Sequence, residues 1–208
     1  MREGSASRSN PDNDSSDERE LALINAIARG DRKAFEKLYT SYHGLLTRFL
    51  VRTTSRRDLV EDVVNETMWA VWRGATRFRG DSKPRSWIIA IAYRSLMKAL
   101  RDRSAQYRNA SATGIDPDFD ELPEPICETA NTEMRDWVKH GLALLPDEQR
   151  MTLELAYFLG QSCDEIAAIM DCPVGTVKAR MFHARVRLRN TLPVLGGDDS
   201  IEPRSEFA

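Results

Sequence analysis

Apolar side chains return at three- and four-residue steps along most of this chain, and no stretch alternates with period two between turn residues. An α-helix turns once per ~3.6 residues, so that spacing gathers apolar groups on one face. A half-buried strand needs the alternation that is missing. The segment "DRKAFEKLYTSYHGLLTRFLV" carries the helical pattern at Phe35, Leu38, Tyr39, Tyr42, Leu45, Leu46 and Phe49. The expected fold class is all-α: two small helical domains joined by a flexible acidic linker.

Breaker residues divide the pattern. A short helix is predicted over 17–28, with Leu21, Ile24 and Ile27 on one face. Gly30 ends it and Asp31 caps the next helix. Ser55 caps a third, with Leu59, Val63, Met68 and Val71 inward. Gly74 and Gly80 bracket a break, and Pro84 stands at the first turn of a fourth helix. These helices make a first domain over 17–103, after an unstructured polar tail over 1–16. Residues 104–131 hold Gly114, Pro117, Pro123 and Pro125 among acids and read as the linker. A second domain over 132–192 has four helices. Pro146 opens its second helix and Gly160 ends it; Ser162 caps the third, "CDEIAAIM". Pro193 and the pair Gly196-Gly197 close the fourth, and 193–208 form a polar tail.

The net charge of −2 hides a strong pattern. Between Arg73 and Arg103 nine basic residues face two acids, and between Val174 and Asn190 five basic residues face none. The stretch from Ala105 to Asn131 holds six acids against Arg108. Two basic blocks separated by an acidic linker suggest two contacts with a polyanion, although either block alone also suits a solvated helix face. No run of ~18 apolar residues is present, and the polar, acidic start does not read as a secretion signal. A cytoplasmic protein without direct membrane insertion is expected. Cys127, Cys163 and Cys172 are too few and odd in number for a disulfide scaffold.

In "IMDCPVGTVKARMFHAR" an apolar run stops at Cys172-Pro173 and restarts as a basic helix. Two short helices joined by a tight turn, the second one basic, make a helix-turn-helix pattern. Val174, Val177, Met181, Ala184 and Leu188 would face the core, opposite Ile166, Ile169 and Met170. Thr176, Lys178, Ala179, Arg180, Phe182, His183 and Arg187 are left for DNA. A helix fits the major groove, where Lys178 would bond guanine acceptors and Ala179 would pack on a thymine methyl. Phe182 reads equally as a core-edge residue, and His183 as a plain surface imidazole. Cys163, Cys172 and His183 lack the short paired spacings of a zinc site, so no metal and no cofactor is expected. No nucleophile–base set or phosphate loop is present, and no enzymatic activity is expected.

The stretch "LPDEQRMTLELAYFLGQSCDEIAAIMDCPVGTVKARMFHARVRLR" resembles region 4 of the extracytoplasmic-function (ECF) sigma factors of bacterial RNA polymerase. "GDRKAFEKLYTSYH", "LVEDVVNETMWAVWR" and "RFRGDSKPRSWIIAIAYRSL" resemble their region 2, in the right order. The resemblance implies a promoter-specificity subunit. Region 2 would bind the β′ clamp helices of core polymerase and open the −10 element. Region 4 would bind the −35 element and the β flap. An anti-sigma factor would restrain the protein until a stress or envelope signal releases it.

On this resemblance Asp58, Glu61, Asp62, Asn65, Glu66, Trp69 and Trp72 form the polymerase-binding face, with Trp69 and Trp72 alternatively in the core. Arg77, Phe78, Arg79, Lys83, Arg85, Trp87, Arg94 and Lys98 form the −10 contact; Phe78 would touch the non-template strand, and Trp87 alternatively packs the fold. Two positions depart from the family. Many members carry Asn where this chain has Arg94, and that Asn helps hold a flipped −10 base. Arginine donates but offers no acceptor. His183 stands where many members have Arg, giving a shorter contact. The main rival reading is a helix-turn-helix regulator that does not bind polymerase; a helical adaptor for acidic proteins is another.

Overall fold

The computed structural model describes residues 11–54, 56–111 and 132–195. All regular structure among the described residues is helical. Residues 11–50 and 58–109 group as one compact unit, and the other described residues form a second.

The first unit is built from α1 (Pro11–Ala28), α2 (Arg32–Thr53), α3 (Val60–Gly74) and α4 (Pro84–Ser111), with residues 51–53 and 110–111 at the ends of α2 and α4 grouping with the second unit. Gly30 takes a positive φ of 88° between α1 and α2, a conformation that L side chains resist. The Asp31 carboxylate then accepts from the backbone N–H of Lys33 at 2.8 Å and of Ala34 at 3.1 Å, capping α2. The apolar stripes meet in a core in which Ile24, Leu38, Leu46, Phe49, Val64, Met68, Ile88 and Leu96 are fully enclosed. Leu59, Val63 and Val71 are also buried, as their spacing predicts. Leu21 departs from the expected face and is exposed.

Two boundaries differ from the sequence reading. The first helix begins at Pro11, inside the stretch expected to be a tail, because proline is tolerated at a first helical position. The fourth helix continues to Ser111, past the expected boundary at 103, since "SAQYRNAS" contains no glycine or proline to stop it. Ser55, Cys127 and residues 112–131 lie outside the described residues.

The second unit contains α5 (Thr132–Ala143), α6 (Asp147–Leu153), a π-helical segment (Glu154–Phe158), α7 (Cys163–Met170) and α8 (Val174–Leu195). The single helix expected between Pro146 and Gly160 therefore changes type partway. Leu145, Leu153 and Ala184 are buried together, with Leu142, Met181 and Leu188 packed against them. Gly141 lets α5 come close to α8: a Cβ there would lie 2.6 Å from Leu192 Cδ2. α8 runs through Pro193 to Leu195 rather than stopping before the proline. The ring forgoes one intrahelical hydrogen bond and crowds the carbonyl four residues back, a cost confined to the end of the helix.

A part-buried polar pair ties α1 to α2. Tyr42, buried in the first unit, donates its hydroxyl to Glu20 Oε2 at 2.5 Å. Burial raises the Glu20 pKa above its ordinary 4.5, opposed by the Tyr42 hydrogen bond and the charge of Arg85. Burial beside the same carboxylate also raises the Tyr42 phenol, which stays protonated. A raised folded pKa means that the carboxyl binds its proton more tightly in the fold than in the unfolded chain. Glu20 therefore contributes stability below pH 4.5 that is lost as pH rises through its raised pKa. Glu20→Gln should gain stability relative to the parent as pH rises from 4.5 to neutrality. Urea denaturation of both proteins across that range checks this, and a constant difference would count against it.

Candidate nucleic-acid interface

The helix before the recognition turn is fixed at both ends. The Ser162 hydroxyl accepts from the Glu165 backbone N–H at 3.2 Å, and the Glu165 carboxylate accepts from the Ser162 N–H at 2.8 Å. This reciprocal capping box starts α7 as the sequence predicts. Asp171 then adopts left-handed geometry (φ 50°, ψ 55°), and the Cys172 N–H donates to the Ala167 carbonyl at 3.0 Å. Aspartate is one of the few side chains that tolerate this conformation. Pro173 supplies the carbonyl that accepts from Thr176 at 2.9 Å, so α8 starts at once.

Burial of Val177 and Ala184, both fully enclosed, fixes which face of α8 turns outward. Lys178, Ala179, His183 and Arg187 are exposed there, and Thr176 is half-buried. Phe182 is 58 % exposed, with the His183 ring edge-on to it at 5.5 Å. It is not a core-edge residue. Arg180 sits differently. Its guanidinium donates to the Glu148 carboxylate on α6 and to Cys172 Sγ at 3.5 Å, leaving the side chain 20 % exposed. It braces α8 against α6 and the turn. Cys163 and Cys172 are free thiols, and no group of three metal-ligating residues occurs among the described residues.

In the first unit the expected polymerase-binding residues occupy α3 and the turn before it, and α2 flanks several of them. Glu61 lies 3.3 Å from His43, and Asn65 accepts from the Tyr39 hydroxyl at 3.0 Å. Arg73 lies 3.8 Å from Glu66 and stacks over Trp69, which is 53 % exposed. Trp72 is half-buried, edge-on to Phe35 at 5.2 Å. Asp62 is exposed, and Asp58 accepts from Arg103 at 2.8 Å. Tyr39 and His43 join this face through contacts between helices, which periodicity along α2 cannot reveal.

The expected −10 residues separate into two groups. Arg77, Trp87, Arg94 and Lys98 line one surface cavity at the α3–α4 junction. Phe78 is half-buried on Trp87, with ring centroids 4.8 Å apart. Arg79 is exposed, and Lys83 lies 3.8 Å from Asp17. Arg85 is half-buried: its Nε is enclosed without a hydrogen-bond partner, and its charge acts on half-buried Glu20.

Comparison with known proteins matches both blocks. Residues 38–106 match the model of Sigma-70 region 2, and residues 135–188 match Sigma-70, region 4. The RNA polymerase sigma-H factor of Pseudomonas aeruginosa is 30 % identical over 185 residues, covering 86 % of this chain and 96 % of that protein. The ECF RNA polymerase sigma-E factor of Haemophilus influenzae is 31 % identical over 181 residues, covering 84 % and 95 %. Among solved structures, the sigma factor RpoE in complex with the anti-sigma factor NepR from Bartonella quintana aligns with a TM-score of 0.64 at 25 % identity. That alignment covers 78 % of this chain and 98 % of the other.

The two basic neighbours on α8 should respond differently to truncation. Arg180→Ala removes a brace between elements and should lower the thermal midpoint of the second unit by several degrees. Lys178→Ala, on the exposed face, should leave the midpoint within error. Circular dichroism melts of both variants check this; equal midpoints would remove the bracing role.

Proposed function

Because this chain belongs to the extracytoplasmic-function sigma factors of bacterial RNA polymerase, we propose that it directs core polymerase to promoters through the two surfaces described above. The observation that carries this reading is the ordered pair of sigma regions: a lone helix-turn-helix regulator accounts for residues 135–188 but not for 38–106.

Residues 17–103 act as region 2, 104–131 as the linker and 132–192 as region 4. In region 4, Lys178, Ala179, Phe182 and His183 meet base edges of the −35 element, while Thr176 and Arg187 meet phosphates. Arg180 supports them by holding α8. Exposure of an aromatic ring beside an imidazole, on a helix free of acids between Val174 and Asn190, supports this assignment. A large exposed phenylalanine is unfavourable in water and gains by packing on a thymine methyl.

In region 2, Asp58, Glu61, Asp62, Asn65, Glu66 and Trp69 bind the β′ clamp helices, with Trp69 as the anchor. Trp72 is braced by Phe35 and supports that face from behind. The exposed ion pairs on it are worth little and exchange readily for a partner's charges. Arg77, Phe78, Arg79, Lys83, Trp87, Arg94 and Lys98 handle the −10 element, and Arg85 orders the helices behind them. The chain performs no catalysis of its own. It works in the cytoplasm; among the described residues no helix is long and apolar enough to cross a membrane. The complex of the Bartonella quintana sigma factor with its anti-sigma factor supports restraint of this chain by a partner of that kind.

Reconstitution with core polymerase on a promoter library tests the reading. The chain should associate with the polymerase and support run-off transcription from a subset of promoters. Lys178→Ala with Arg187→Ala should reduce transcription and flatten the salt dependence of promoter binding, because fewer phosphates are neutralised. Promoter binding without polymerase association would favour the helix-turn-helix regulator instead.

A further inference from the structure

α8 carries five basic residues and no acid between Val174 and Asn190. Lys178, Arg185, Arg187 and Arg189 are exposed and form no ion pair among the described residues. Arg180 is the exception. Its guanidinium donates to the Glu148 carboxylate on α6 and to Cys172 Sγ, and its side chain is 20 % exposed. Glu148 is 68 % exposed, so water already satisfies most of its carboxylate. Its place in the first turn of α6 favours an anion without help from an arginine. The consequence of the pair therefore falls on Arg180.

Arg180 stands four residues after Thr176 and seven before Arg187, steps that set all three along one flank of α8. Thr176 and Arg187 are the phosphate contacts of the −35 reading. Arg180 thus occupies the middle of a phosphate-facing edge, yet its charge is directed back at α6. The neighbouring acid of α6, Asp147, pairs within its own helix with Arg150 and holds no cation of α8.

We propose that Glu148 sets the DNA affinity of α8 by withholding Arg180 from the phosphate backbone. This rests on the reading that α8 meets DNA; the role of Glu148 rests on the pair itself. Glu148 is a positioning residue, acting through the arginine it holds. Contacts to phosphates supply affinity for any sequence, and contacts to base edges supply the choice among sequences. With one cation withdrawn from the edge, binding to every duplex weakens while Lys178, Ala179, Phe182 and His183 keep their access to bases. Base contacts then make up a larger share of the total. A promoter reader gains from that balance, because non-specific sites vastly outnumber its targets.

The test follows binding of the full chain to a short fluorescent duplex of random sequence, by anisotropy across a salt series. Glu148→Gln should bind severalfold more tightly than the parent. The slope of log affinity against log salt should steepen by about 0.9, the value of one added phosphate contact. Glu148→Ala is a second release variant with the same expectation, and circular dichroism checks that each protein is folded at the measuring temperature. Glu148→Asp keeps the charge and should stay near the parent. Asp147→Asn removes the same charge one residue away without freeing a cation of α8, and should leave the slope unchanged. Glu148→Gln combined with Arg180→Gln should return to the parent's slope. An unchanged slope in both release variants, or a gain that survives Arg180→Gln, overturns the role of Glu148. In that case the DNA reading of α8 still stands if Lys178→Ala with Arg187→Ala flattens the parent's slope. If no protein of the series binds the duplex, or if binding is indifferent to Lys178 and Arg187, that reading falls and the role of Glu148 with it.

Discussion

The second unit depends on one buried seam along α8. Val177 and Ala184 lie seven residues apart, two turns along one face, and neither has any accessible surface. A side chain as small as alanine at 184 lets α8 settle onto Leu145 and Leu153. With that seam closed, the rotation of the helix about its axis is no longer free. Lys178, Ala179, Phe182 and His183 are then carried outward by geometry and not by their own polarity. The capping box at Ser162 starts α7, and the left-handed Asp171 ends it and turns the chain toward α8.

Charge is used in two ways on this scaffold. Some basic groups are held by acids from neighbouring elements, as Arg180 is by Glu148 and Arg103 by Asp58. Others have no carboxylate near them and cluster where an anion fits, as around Trp87. Along the sequence both kinds look alike. Arg85 and Arg94 occupy the same helix and the same basic block, yet the charge of one acts on half-buried Glu20 and the other lines an open cavity. Which role a charge takes is decided by what lies across from it.

Much of the fold was legible because its signals are local. The spacing of Leu59, Val63, Met68 and Val71 marked the inner face of α3, and Ser162 marked the start of α7. Pro173 marked the turn. What escaped was set at a distance or by a weak stop signal. α4 outran its expected end because polar residues alone do not end a helix. Phe182 was ambiguous because hydrophobicity does not say whether a neighbouring element reaches it. The roles of Tyr39, His43 and Arg85 arise from contacts between helices, and no pattern along one helix encodes them.

The π-helical segment over Glu154–Phe158 has a consequence of its own. Its wider turn accommodates an extra residue, while Leu155 and Leu159 stay buried on either side and Tyr157 is thrown 67 % into solvent. The segment works as a phase shifter: it takes up one residue of excess length so that α6 and the turn into α7 both keep their registers. A chain shortened by one residue there would recover a regular α-helix and be the better helix for it. Keeping that residue in α-helical geometry would instead rotate everything beyond by roughly 100° and mis-set the platform on which α7 and α8 are mounted. Local regularity and correct assembly are in opposition at this point, and this sequence favours assembly.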